Sequence, residues 1–266
     1  MTQTTPLTLS DLQKVGLIDR KTLKTWEQSL VEKLHSDPEL QESLEEESNT
    51  LVEQGLGLLG NNSYKDAIRL FLQAISLYPD NVHAWQLMGD ALESSDNPKK
   101  AFEVYNKILE KKPDYSRILS SIGVMYFKRR KYKQAIREFK HSIDIDPNQF
   151  VTWDNLGTVY TEQGKFNEAE DAFRKAIELA PASVSSWYNL GLIRLKGKRY
   201  HDAVDIFKQC IKLEPRNGAA WKNLTFAYIK LNDYQNASQS IERAKEYTSE
   251  DPEVFDLEKT IWKKIK

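Results

Sequence analysis

One cysteine, three methionines and four histidines in 266 residues leave little from which to build a redox pair or a metal cage. With Cys210 alone, no disulfide can form within the chain. His35, His83, His141 and His201 are scattered, and no pair has metal-ligand spacing on one helix. No serine, cysteine or carboxylate stands where it would make a nucleophile with a base, so no catalytic residue, metal or cofactor is expected and the chain reads as non-enzymatic. An excess of either charge is also missing. A net charge of -1 and a pI near 6.5 give no general attraction for nucleic acid or an anionic membrane. There is no run of 18 apolar residues, and MTQTTPLTLSD has neither a basic start nor an apolar stretch. A soluble, cytoplasmic protein with no membrane insertion is expected.

What the chain does have is a repeat. Residues 150–183, FVTWDNLGTVYTEQGKFNEAEDAFRKAIELAPAS, recur with the same landmarks every 34 residues in six copies, 48–81, 82–115, 116–149, 150–183, 184–217 and 218–251. The fourth place holds Leu51, Trp85, Leu119, Trp153, Trp187 and Trp221, and the twentieth is always alanine, from Ala67 to Ala237. Pro79, Pro113, Pro147, Pro181 and Pro215 keep the same interval. Trp153, Leu156, Gly157 and Tyr160 are spaced as one face of a helix, and Phe166, Ala169, Phe173, Ala176 and Ile177 as a second. Gln163, Gly164 and Lys165 break the two apart, and Pro181 ends the second. Each copy is therefore an antiparallel helix pair. Cys210 replaces the small residue found as Ala176 one copy earlier, which predicts a buried, reduced thiol.

Period, paired helices and the pattern W-x2-L-G-x2-Y, A-x3-F-x2-A, P resemble the tetratricopeptide repeat (TPR) family. The likeness is close in 150–183 and 184–217 and weakens outward, where Gln54, Thr225 and Ser249 depart from the pattern. The resemblance implies an all-α, right-handed α-solenoid of helix-turn-helix repeats, one array with an N-terminal helical extension and a C-terminal capping helix. Its implied function is protein binding rather than catalysis.

The flanks are read from their own residues. Residues 1–9 are polar and expected to be a disordered tail, with a helical extension over 10–47. Ser10 to Gln13 has capping-box spacing, and Asp19 can cap a helix to about His35 whose face carries Leu23, Trp26, Leu30 and Leu34. Such a stripe must be covered, by the first repeat, by the groove, or by another subunit. Asp37-Pro38 opens a further helix that can run into the first repeat, with seven acidic residues and no basic one between Asp37 and Tyr64. Asp251-Pro252 repeats that start signal. Val254, Phe255, Leu257, Ile261, Trp262 and Ile265 then give a closing helix over 252–266 whose apolar face should cover the last repeat.

Two patterns mimic other chemistry. Gly55, Gly57 and Gly60 match the dinucleotide fingerprint, but inside a helix rather than between strand and helix, so no nucleotide is expected. Lys128 to Lys133 (KRRKYK) falls at the turn of the third copy and reads as a wet charged loop.

Advancing about 100° per residue from the fourth place, places 2, 6, 9 and 13 fall opposite the packing stripe. In the TPR resemblance that side lines the concave groove. The sixth places of the last three copies are Asn155, Asn189 and Asn223. A side-chain amide can donate and accept, so the row can pair with an extended peptide backbone whatever its sequence. This resembles the asparagine ladder of the O-linked N-acetylglucosamine transferase repeats and of the peroxisomal targeting-signal receptor. Three such bonds supply about 2–4 kcal/mol, so side chains must add the rest. Tyr188, Leu192 and Phe226 supply apolar contacts and Lys196, Lys222 and Lys230 positive charge, whereas His83, Asp90 and Glu93 make the N-terminal half polar and acidic. The family's carboxylate clamp for heat-shock chaperone tails is not expected, because Val52, Leu56, Gln86, Asp90, Ser120, Val124, Asp154 and Thr158 fill the places that need lysine and asparagine. The reading is a scaffold or adaptor that holds a peptide or helical segment in its concave groove. The alternative is a self-associating, homo-oligomeric protein whose N-terminal helix docks in a neighbour's groove.

Overall fold

The computed structural model describes residues 6–36, 40–248 and 251–265, and among them every regular element is a helix. The chain is an all-α helical repeat solenoid. It divides into two compact units, residues 1–129 and 130–266. The first contains α1 (Leu9–Lys14), α2 (Arg20–Ser36), α3 (Leu40–Gly60), α4 (Tyr64–Leu77), α5 (Val82–Ser94), α6 (Pro98–Lys111) and α7 (Ser116–Lys128). The second contains α8 (Tyr132–Ile145), α9 (Phe150–Glu162), α10 (Phe166–Leu179), α11 (Val184–Lys196), α12 (Tyr200–Leu213), α13 (Gly218–Lys230), α14 (Tyr234–Tyr247) and α15 (Pro252–Ile265). The division falls at the turn inside the third copy, as an array whose repeats touch only their neighbours permits.

Three contacts recur at the repeat interval and explain why these residues pair as they do. Each turn from first to second helix passes through one left-handed residue: Asn62, Asp96, Arg130, Gly164, Lys198 and Asn232, with φ of 59°, 62°, 56°, 73°, 57° and 60°. Only one of the six is the glycine that such a turn accepts most readily. Next, the glycine of the first helix receives the aromatic ring of the second: Gly55 faces Phe71, Gly89 faces Tyr105, Gly157 faces Phe173 and Gly191 faces Phe207. Finally, the indole N–H of Trp85, Trp153, Trp187 and Trp221 donates to the carbonyl of Pro79, Pro147, Pro181 and Pro215 at 2.8–2.9 Å. Trp85 is fully buried, but the other three are half-buried.

The N-terminal extension differs from expectation at its start. Residues 1–5 lie outside the described residues, yet Leu7 and Leu9 are buried, and the Leu7 N–H donates to Asp80 Oδ1 at 2.9 Å. Leu7 to Leu9 therefore do not belong to the polar tail expected over 1–9. The cap is Thr8, not Ser10: the Asp11 carboxylate accepts from both the Thr8 N–H and its hydroxyl, at 3.0 and 2.9 Å. That register turns Leu9, Leu12 and Val15 inward, spaced by three. Asp19 accepts from the Thr22 N–H and starts α2, whose Leu23, Trp26 and Leu30 pack on the N-terminal core of their own chain against α3 and α4. The Leu34 side chain and Asp37-Pro38 fall outside the described residues. The first repeat helix continues unbroken from the extension as α3, and its Gly55, Gly57 and Gly60 are all helical.

At the other end α15 packs on α13 and α14 through Val254 and Ile261, both buried, and half-buried Leu257. Phe255 and Trp262 do not join them and remain 44% and 55% exposed. The two are seven residues apart and so share a face turned about 100° from the covering stripe, beyond the reach of the last repeat. Cys210 is buried, and that burial pushes its thiol up to about 12, well above the range of a reactive thiolate.

Candidate functional site

The asparagines of the sequence pattern sit on α9, α11 and α13, first helices that lie side by side in the second unit. All three are half-buried. Asn155 and Asn189 make no hydrogen bond to any described residue, so their amides are open to an incoming backbone. Asn223 does not match them. Its Nδ2 donates to the Tyr188 hydroxyl and to the Ala219 carbonyl, both at 3.0 Å, which uses its two N–H groups and leaves only the carbonyl oxygen. The ladder is therefore two amides and one acceptor, with Tyr188 tied across from α11 to α13. The Tyr188 ring in turn meets Phe207 edge-on, with centroids 5.9 Å apart.

Lys222 is likewise not the free cation expected of it. Its ammonium donates to Asp251 Oδ2 and Glu253 Oε2, each at 2.7 Å, and so clamps the start of α15 onto α13. The hydrogen bond from Lys222 holds the Asp251 carboxyl below its usual range. Lys230 lies over the Phe226 ring, 5.1 Å from its centroid, and Lys196 over the Phe166 ring at 5.6 Å. These two keep an exposed charge at the edge of the face. Leu192 packs against the C-terminal core, which accounts for an apolar residue at its place.

Phe226 and Asn223, with Leu195 and Lys222, form one side of a hollow of about 400 Å³. Its other side comes from the closing helix: Glu253, Asp256, Leu257 and Thr260. None of these four was read from the sequence as a groove residue, and Leu257 only as part of the face that covers the last repeat. Their signal was available, since 253, 256, 257 and 260 have the spacing of one helical face, but nothing in the sequence says which face a cap turns to the groove. Asp154 was also missed. Its Oδ1 is buried without a hydrogen-bond partner beside Asn155 in sequence, and burial pushes its carboxyl above the usual range.

Asp90 and Glu93 of the N-terminal half are satisfied internally. Asp90 accepts from the Tyr105 hydroxyl, and burial raises the pKa of both groups. Glu93 is paired with Lys128 at 2.7 Å, and burial lowers that of His83, with Arg117 adding to the effect. No group of three or more His, Cys, Asp or Glu able to hold a metal ion occurs among the described residues, and no described helix is long and apolar enough to cross a membrane.

Residues 35–260 match the family model of the cilia and flagella-associated protein 70 C-terminal domain. The chain belongs to that family. As a member it is a tetratricopeptide repeat protein, and its relatives carry the same repeat. A stretch of 86 residues is 33% identical to the peroxisomal targeting signal receptor of Candida albicans, covering 32% of this chain and 14% of the receptor. A stretch of 58 residues is 38% identical to tetratricopeptide repeat protein 21B of Xenopus laevis, covering 22% of this chain and 4% of that protein. The chain thus spans a small part of these relatives. Among solved structures, PilF of Pseudomonas aeruginosa superposes with a TM-score of 0.71 at 18% identity, over 82% of this chain and 99% of PilF. YrrB, described as a TPR protein with an unusual peptide-binding site, gives 0.60 at 18% identity over 71% of this chain and 97% of its own. At these identities the superpositions establish the fold alone.

Proposed function

We propose that this family member is a protein-interaction scaffold whose second unit holds an extended or helical segment of a partner against the first-helix face of α9, α11 and α13. The observation that carries this is the pair of half-buried amides, Asn155 and Asn189, that no described residue satisfies. An amide in such a place gains most when a backbone N–H and C=O arrive together. The Phe226 hollow beside it supplies apolar seating, and Lys196 and Lys230 favour a segment with acidic residues at its edge. The targeting-signal receptor and YrrB support the reading by their descriptions, one as a receptor for a signal and the other as peptide-binding. The family description makes a ciliary or flagellar assembly the setting we propose.

The test is affinity capture from a ciliated source with wild type and with the variant Asn155→Ala, Asn189→Ala, Phe226→Ala, after circular dichroism shows both folded. Partners held by wild type and lost by the variant are expected. Retention of the same partners by the variant would remove this face from the account.

A further inference from the structure

Successive second helices leave a furrow between them, floored by the first helix of the later repeat. Between α10 and α12 the furrow is a hollow of about 620 Å³, with Ile177, Trp187, Leu190 and Ile206 as its apolar surface and Arg174, Arg194, Arg199 and Asp202 among its polar groups. The equivalent places, 34 residues away on either side, line hollows of about 370 and 520 Å³ around Trp153 and Trp221.

One furrow of the series is already filled, by the chain itself. In copy 82–115 the same floor is Trp85, Met88 and Leu92, all buried. The segment from Leu7 to Ile18 is fastened at both ends of that furrow: the Leu7 N–H donates to Asp80, just past α4, and the Gly16 carbonyl accepts from Lys100 Nζ in the first turn of α6, at 2.9 Å each. Leu12 and Val15 between them are buried, and Leu17 and Ile18 join the same core. A short helix that presents apolar residues and is followed by an accessible carbonyl is thus the ligand this furrow accepts. Trp187, with the same indole bond as Trp85, has no such cover and stays half-buried.

The furrow between α10 and α12 holds a second sign of an occupant. Arg194 stands where the other copies of this unit have Tyr160 and Tyr228. It is only 3% exposed, and Nη2 donates to Glu170, but Nε and Nη1 make no hydrogen bond to any described residue, Asp202 Oδ2 standing 3.8 Å from Nη1. A guanidinium buried with two unused N–H directions and lining an open hollow calls for an oxygen acceptor from outside the chain. The last carbonyls of a helix are such acceptors.

We propose that the furrow between α10 and α12 is a second docking site, for a short amphipathic helix of a partner protein that seats apolar side chains on Trp187 and Leu190 and presents its C-terminal carbonyl oxygens to Arg194. It lies on second-helix walls and is independent of the face described above.

The probe is a fluorescein-labelled synthetic peptide of residues 6–19, read by fluorescence anisotropy against the full chain. Saturable binding is expected. It should weaken about tenfold or more in Arg194→Tyr, a change to the residue the neighbouring repeats carry and hence compatible with the fold, and in Trp187→Ala. Lys100→Ala, which removes only the cation that holds the Gly16 carbonyl in the other furrow, should leave the affinity unchanged, and a peptide with Leu12→Glu should not bind. Absence of saturable binding to wild type, equal affinity for Arg194→Tyr, or loss confined to Lys100→Ala would each overturn the proposal. Concentration-dependent mass of the chain alone, abolished by Arg194→Tyr, would also overturn it by giving the furrow to a second copy.

Discussion

Gly191 and Phe207 are packed so closely that a Cβ on Gly191 would stand 2.7 Å from the ring. The same relation joins Gly157 to Phe173, and the last repeat shows why the two positions go together: there Ile241 replaces the aromatic and Thr225 replaces the glycine, its hydroxyl bonding Ser240 at 2.9 Å. Gly191→Ala should therefore destabilise the chain by about 1–3 kcal/mol through overpacking. Gly57, helical with nothing within 4 Å of its would-be Cβ, is the control: Gly57→Ala should gain about 0.5–1 kcal/mol. Urea unfolding of the two variants should shift in opposite directions. A shift of the same sign would mean that the ring does not press on the backbone.

Lys198 holds φ of 57° at the turn where the preceding copy has Gly164 at 73°. A side chain in this region carries a steric cost of about 1–2 kcal/mol, part of which glycine returns as entropy of the unfolded chain. Lys198→Gly should raise stability by about 0.5–1 kcal/mol, and Gly164→Ala should lower it by a similar amount. Thermal melting would show both.

Trp85 and Trp187 make the same indole bond but differ in cover. Trp85→Ala, in a fully enclosed site, should cost about 3–5 kcal/mol. Trp187→Ala removes a half-buried ring and should cost clearly less, contrary to the full cost that repeat position alone suggests. Equal losses would show that cover by residues 7–18 adds nothing.

The Lys222 clamp on Asp251 should make the α15 junction sensitive to acid. The hydrogen bond from Lys222 depresses the folded pKa of Asp251 below its ordinary 3.8, so its contribution is present above that value and is lost as pH falls through the lower folded one. Lys222→Met should melt below wild type at neutral pH, and the gap should close as pH falls through the depressed folded pKa of Asp251. A gap that persists there would mean that the clamp acts through packing rather than charge.

The phase of all six repeats was legible because Ala67 to Ala237 and Pro79 to Pro215 fix it at one interval, and a period constrains every helix at once. The ends were less legible. Leu7 and Leu9 stand among Pro6, Thr8 and Ser10, and only the fold shows that Asp80 and Lys100 wait for that segment. Lys222 reads as groove charge because its partners lie 29 and 31 residues ahead on a cap whose start is visible but whose docking is not. Asn223 looks like its two counterparts until Tyr188 is seen to take its amide. Arg194 had a signal in plain view, a charge in a column of leucines and tyrosines, whose meaning needed its burial.

The most direct test of the scaffold reading is hydrogen–deuterium exchange of the chain with and without a partner captured by wild type. Protection centred on α9, α11 and α13 around Asn155, Asn189 and Phe226 is predicted. Protection confined to the second helices α10, α12 and α14, with those first helices unchanged, would contradict it.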